Sequence, residues 1–239
     1  MATGGEANAP SGAETAIDPV QALAELDAIR RRVVNVVGHV LRTPATTIAG
    51  MAAALQVAED DETRDRLVLG LARNARRLEV LLDDLLIAAG VSTALPVDEL
   101  ASTPVAAVLA SAWTETGGPG ELEVEGSPRR ATVRPRSLQR IAEILFDNAL
   151  KYGHGPVAAR IGTTSTGIRI EIESAGDGPS DEELTHAFEL LYRGEHAVMS
   201  APGLGLGLSV ARELARADGG DVTLERRAGG LVALVDLAG

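Results

Sequence analysis

Two long apolar stripes joined by a short acidic connection constrain the first part of this chain more than anything else in it. Leu23, Leu26, Ile29, Val33, Val36 or Val37, Val40 or Leu41, Ile48, Met51 and Leu55 recur at three- and four-residue steps. That spacing puts side chains on one face of an α-helix. Asp18 followed by Pro19 is a good helix start, an N-cap and then proline at the first helical position. Pro44 lies inside the run and predicts a local bend rather than a stop. After Ala58-Glu59-Asp60-Asp61 a second stripe, Leu67, Leu71, Leu78, Leu81, Leu82 and Leu85, runs toward Gly90, a helix-ending residue. Two helices with a tight loop form an antiparallel hairpin over residues 18–90. Such a hairpin has an apolar face and nothing of its own to cover it, so two copies are expected to pair into a four-helix bundle, making a homodimer.

The rest of the chain divides around this hairpin. Residues 1–17 are rich in Gly, Ala, Ser, Pro and Glu without apolar period and read as a disordered tail. Residues 91–103 read as a linker. From 104 to 239 the pattern is mixed. Helices are expected over 105–113, 137–150, 182–192 and 208–218. Strands are expected over 122–125, 131–133, 158–162, 168–173, 222–225 and 231–237. Strands in one sheet with helices on one face make a two-layer α/β sandwich. The expected fold class is therefore α+β and multi-domain, a dimeric helical bundle followed by that sandwich.

Composition narrows the function classes. The formal net charge of -12 over 239 residues argues against broad nucleic-acid binding, which needs a basic surface. There is no cysteine, hence no disulfide framework, thiolate metal site or thiol nucleophile. No run approaches the roughly 20 apolar residues of a membrane helix, and no basic segment followed by an apolar one opens the chain. A cytoplasmic protein without a membrane span is expected.

Four stretches carry chemistry. His39-Val40-Leu41-Arg42-Thr43-Pro44 sets an imidazole and a hydroxyl one helical turn apart. A free imidazole is a nucleophile at neutral pH and can carry a phosphoryl group on nitrogen. Asp147-Asn148-Ala149-Leu150-Lys151-Tyr152 closes a helix. Asn148 offers an amide oxygen suited to Mg²⁺, Lys151 a point charge for phosphates, and Tyr152 a flat face for a base or sugar. By itself this is also what an ordinary helix C-terminus with a lysine at the negative end of the dipole looks like. Glu173-Ser174-Ala175-Gly176-Asp177-Gly178 follows a strand, where glycines permit a tight turn close to a ligand. Gly203-Leu204-Gly205-Leu206-Gly207 leads into a helix, and backbone N–H groups there make an anion site. The stretch before it, 194–202, reads as a lid.

Taken together these motifs resemble the catalytic core of bacterial two-component sensor histidine kinases, with a dimerising phosphoacceptor hairpin and a gyrase-type ATPase domain. HVLRTP resembles the H box, DNALKY the N box, SAGDG the first G box, FELLYRG the F box and GLGLGL the second G box, in the family's order. The resemblance implies an ATP-dependent protein-histidine kinase whose His39 accepts the γ-phosphoryl group of ATP and passes it to an aspartate on a response-regulator receiver domain. Arg42 and Thr43 join His39 as the implied catalytic set, Thr43 as the positioner of a phosphatase water. ATP would meet Asn148, Lys151, Tyr152, Ser174, Gly176, Gly178, Arg193, Gly203, Gly205, Leu206 and Gly207, with Mg²⁺ held at Asn148.

Three positions depart from the family pattern. Val40 stands where the family usually has an acidic residue that draws the imidazole proton, and such base assistance is worth roughly 10²–10⁴-fold. Ser174 replaces the usual adenine-reading Asp with an uncharged hydroxyl. Ile144 replaces a frequent earlier Asn of the N box. Thr43 is intact. The expected enzyme is thus bifunctional and biased toward the phosphatase side. A histidine phosphotransfer protein, or a pseudokinase scaffold with a degenerate ATPase domain, is the alternative.

Overall fold

The computed structural model describes residues 19–88, 99–127, 130–176, 178–194 and 204–238. The expected tail over 1–17, most of the expected linker and most of the expected lid lie outside them. The chain divides into two compact units, Met1–His39 and Val40–Gly239.

Helix α1 (Pro19–Val57) contains Pro44 without interruption, and α2 (Asp61–Ala88) follows after three residues. The turn is capped by Asp60, whose Oδ1 accepts the Thr63 N–H at 2.7 Å. This bond and the Thr63 hydroxyl hold the Asp60 carboxyl below the usual carboxylate range. The Met51 side chain of α1 reaches α2 at Gly70. A Cβ there would lie 2.9 Å from the Met51 sulfur, so the end of that flexible side chain would have to shift. Asn74, one turn on, donates to the Gly70 carbonyl at 2.9 Å.

The α/β part begins earlier than expected. Ala101–Pro104 (β1), in the stretch read as linker, is a strand paired antiparallel with β3 (Arg130–Val133). Helix α3 (Val105–Glu115) follows β1. A five-stranded sheet forms from β2 (Val124–Gly126), β4 (Val157–Thr163), β5 (Gly167–Ala175), β7 (Gly230–Ala238) and β6 (Asp221–Arg227), in the order β2-β4-β5-β7-β6. Among the described strands, only β2 and β4 pair in parallel. Helices α4 (Pro135–Tyr152) and α6 (Gly207–Ala217) pack on each other. Together with α3 they share one apolar core with the sheet.

The period-two reading of β5 holds in detail. Ile168, Ile170 and Ile172 are buried. Arg169, Glu171 and Glu173 point the other way and pair with Asp236, Arg227 and Arg160. Helix α4 buries Leu138, Ile141, Ala142, Leu145, Phe146 and Ala149 along one side. Phe146 is fully buried and meets Trp113 of α3 edge-on, ring centroids 5.4 Å apart, the geometry that ring quadrupoles favour.

The helix expected over 182–192 is shorter. Only Asp181–His186 (α5) is helical, entered through a capping box between Ser180 and Glu183. Beyond it Leu191 takes φ +63° and its N–H donates to the Gly205 carbonyl at 3.0 Å. A long-range backbone bond to the glycine-rich segment replaces the next helical turn.

Truncating Phe146→Ala removes a ring that two helices share. A loss of about 3–5 kcal/mol is expected for such a cavity, read as a lowered urea midpoint with unchanged slope.

Candidate functional site

One cleft of about 1400 Å³ dominates the second unit. Ordinary ligand pockets run to roughly 300–1,000 Å³, so the cleft exceeds what one small ligand needs. The end of α4 supplies Asp147, Asn148, Lys151 and Tyr152. The β5 end supplies Ser174, Gly176 and Gly178, the start of α6 supplies Leu206 and Gly207, and the loop before it supplies Gly205. Tyr192 and Arg193 complete this part. Residues read from separate motifs thus share one cavity. The side opposite is made by the helical hairpin, with Val40, Thr43, Pro44 and Thr47 of α1 and Asn74, Arg77, Leu81 and Asp84 of α2.

The backbone explains why glycines stand where they do. Gly205 has φ +69°, and a Cβ there would lie 2.3 Å from the Tyr192 carbonyl oxygen. The glycine is therefore required by both conformation and space, and it lets the loop deliver the N-terminus of α6 to the cleft. Free N–H groups at a helix N-terminus with the macrodipole behind them favour an anion. On the sheet side Gly176 and Gly178 take φ +132° and +62°. They turn the chain away from β5 without side chains in the way.

The polar groups have defined partners. Lys151 Nζ pairs with Asp147 Oδ2 at 2.5 Å across one turn of α4, so its charge sits at the cleft edge. The Asn148 amide is half-buried and makes no hydrogen bond among the described residues, leaving its oxygen available to a hard cation. No cluster of three or more His, Asp or Glu that could hold a metal occurs among the described residues. The Ser174 hydroxyl reaches the Leu231 carbonyl at 3.5 Å, a long contact that spends little of it. Ile144, buried, lies against Gly207, whose added Cβ would meet it at 3.1 Å. A hydrocarbon here fills the space between α4 and the α6 terminus.

Thr43 and Val40 line the cleft, and Arg42 is exposed and does not. His39 lies on the α1 backbone in the first unit, and its side chain is outside the described part. Gly203 also lies outside the described residues.

One feature of the cleft escaped sequence reasoning. Arg140 of α4 clamps Asp84 of α2, with Nε to Oδ1 at 3.1 Å and Nη2 to Oδ2 at 2.5 Å. A further Arg140 contact runs to Glu143 at 3.3 Å. Burial works against the Arg140 cation, but Asp84 and Glu143 outweigh it and raise its pKa. Burial pushes the Glu143 carboxyl up, against the hydrogen bond from Gln139 and the charge of Arg140. The available signal was an aspartate between Leu81 and Leu85, on a face otherwise reserved for leucine.

Residues 133–237 match the family of histidine kinase-, DNA gyrase B- and HSP90-like ATPases. The signal transduction histidine-protein kinase AfsQ2 of Streptomyces coelicolor is 28% identical over 90% of this chain and 43% of its own length. The bacteriophytochrome of Pseudomonas aeruginosa is 30% identical over 85% of this chain and 29% of its own. The relatives that this chain resembles include sensor histidine kinases. The chain spans less than half the length of these curated relatives. Among solved structures, the Acinetobacter baumannii histidine kinase AdeS aligns with TM-score 0.57 at 22% identity, covering 84% of this chain and 97% of that one. Full-length ShkA in complex with AMPPNP aligns with TM-score 0.57 at 21% identity, covering 87% and 46%. These two establish the shared fold. No described helix is long and apolar enough to cross a membrane.

Gly205→Ala adds a methyl where the Tyr192 carbonyl already stands. Calorimetric titration with ATP and Mg²⁺ is expected to show at least about a tenfold loss of affinity, since even 1.4 kcal/mol of misplacement has that effect. An unchanged affinity would mean the loop is not part of the nucleotide site.

Proposed function

We propose that this chain is the catalytic core of a two-component sensor histidine kinase that phosphorylates His39 from ATP. The observation that carries this reading is the convergence of Asn148, Lys151, Tyr152, Ser174, Gly205, Gly207 and the hairpin residue Thr43 on one cleft. In the transfer, an imidazole nitrogen of His39 forms a bond to the γ-phosphorus as the bond to the ADP oxygen breaks, and the proton on the other ring nitrogen passes to solvent water. Such transfer depends on positioning and charge stabilisation more than on covalent help from the protein. Lys151 and the α6 N-terminus face the phosphates, Tyr152 the sugar or base, and Ser174 the base. Asn148 would hold Mg²⁺ together with phosphate oxygens. Magnesium supplies charge neutralisation there and is bound in just this way, by few protein ligands and the substrate. Arg193 steadies the loop or the phosphates.

The phosphoryl group then passes to an aspartate of a response-regulator receiver domain. Val40, half-buried and apolar, cannot take the imidazole proton, so slow autophosphorylation is proposed. Thr43, a cleft-lining hydroxyl, would position water for removal of phosphate from the regulator, biasing the enzyme toward phosphatase activity. Two copies are proposed to pair through the hairpin, because Val57, Val68, Leu69, Leu82 and Leu86 are large apolar side chains left exposed on it. A cytoplasmic location goes with this role.

A second reading draws on the same departures. Val40 and Ile144 are hydrocarbons and Ser174 is uncharged, which suits a histidine phosphotransfer protein or a pseudokinase scaffold whose ATPase domain has decayed.

Incubation with γ-labelled ATP distinguishes them. Label on the parent chain and none on His39→Ala is the expected result. No label on the parent, with labelling from a phosphorylated regulator, would instead support phosphotransfer. Val40→Glu should raise the labelling rate by about tenfold or more, within the range of base assistance, and Thr43→Ala should abolish regulator dephosphorylation while leaving label on His39.

A further inference from the structure

The cleft has a cation on its hairpin side that none of the motifs accounts for. Asn74, Arg77, Leu81 and Asp84 line the cavity, and their steps of three, four and three residues make them one face of α2. Two contacts aim that face. Asp84, two turns from Arg77, is clamped by Arg140 of α4. Helix α2 also packs against α6. These are the two helices that carry Asn148, Lys151 and Gly207.

Three other cations of the cleft have carboxylate partners. Arg140 pairs with Asp84 and Glu143, Lys151 with Asp147, and Arg226 with Asp181. Arg77 is exposed and makes no ion pair or hydrogen bond among the described residues. A guanidinium at a cavity wall without a carboxylate partner has its N–H donors available to an anion, and its planar fork suits phosphate oxygens.

We propose that Arg77 is a catalytic residue that contacts the terminal phosphoryl group of a nucleoside triphosphate bound in the cleft, from the side opposite Lys151 and the α6 N-terminus. The proposal rests on the nucleotide reading of the same cleft. As the γ-phosphorus leaves the ADP oxygen, charge accumulates on the bridging and equatorial oxygens. A cation on the acceptor side stabilises the equatorial oxygens without taking or giving a proton. Arginines in that role elsewhere contribute factors of about 10³–10⁵ to phosphoryl transfer.

The test uses the full chain and its Arg77→Ala, Arg77→Lys and Arg76→Ala variants. Arg76 is exposed and lies outside the cleft. The first readout is calorimetric affinity for AMPPNP and for ADP with Mg²⁺. Arg77→Ala is expected to reduce the preference for the triphosphate about tenfold or more while leaving ADP affinity unchanged. Arg77→Lys should retain part of the preference, and Arg76→Ala all of it. A merely structural role for Arg77 would weaken both nucleotides together. The second readout is single-turnover labelling of His39, expected to fall at least about a hundredfold in Arg77→Ala, below the full range seen for such arginines. A parental ratio of AMPPNP to ADP affinity in Arg77→Ala would overturn the proposal while leaving the nucleotide reading intact. A parent chain that binds neither nucleotide would overturn both.

Discussion

The seating of α4 on the sheet is the constraint on which the rest of the second unit depends. Its buried side, Leu138 to Ala149, is locked by the inward isoleucines of β5 and by the Trp113 ring. With that side fixed, helical periodicity leaves Asp147, Asn148, Lys151 and Tyr152 at the cleft. Core and site are opposite faces of the same eighteen residues. A change that rotates α4 in the core therefore moves the polar groups as well, because close-packed interiors do not yield locally.

The same helix ties the hairpin to the α/β part. Ile87, at the end of α2, is buried in the core shared with α3 and α4. The Asp84–Arg140 pair closes the junction beside it. A buried ion pair is weak as a source of stability, since desolvation offsets most of its attraction, but removing one partner leaves an expensive lone charge. The pair thus selects one register of α2 against α4. That register aims the α2 face with Asn74 and Arg77 at the cleft, and the proposed role of Arg77 follows from it.

The departures from the family pattern are all losses of charge or polarity at residues that line the cleft. Ile144 packs under Gly207 and Val40 lines the hairpin wall. Neither disturbs the architecture, because each replaces a polar group with hydrocarbon at a half-buried or buried position, where no unsatisfied group is created. Architecture and catalytic chemistry are therefore separable here. The scaffold tolerates substitutions that the proposed reaction would register as rate.

Periodicity was enough to read α1, α2, α4 and β5 as elements, and in α4 and β5 the apolar face of the pattern is the buried face. Five short motifs in order were enough to assign the family, since each needs its own residue types for a local backbone reason. What escaped were features with partners far along the chain. Ala101–Pro104 is a strand because β3 pairs with it thirty residues later. The segment after His186 leaves the helix because Leu191 bonds to Gly205. Asp84 is buried because Arg140, 56 residues away, compensates its charge. The sequence by itself determined the long periodic elements and the resemblance carried by the motifs, both of which are written in local spacing. Only the tertiary structure decided which hairpin face meets the cleft, because burial of a charge depends on a partner that no local pattern contains.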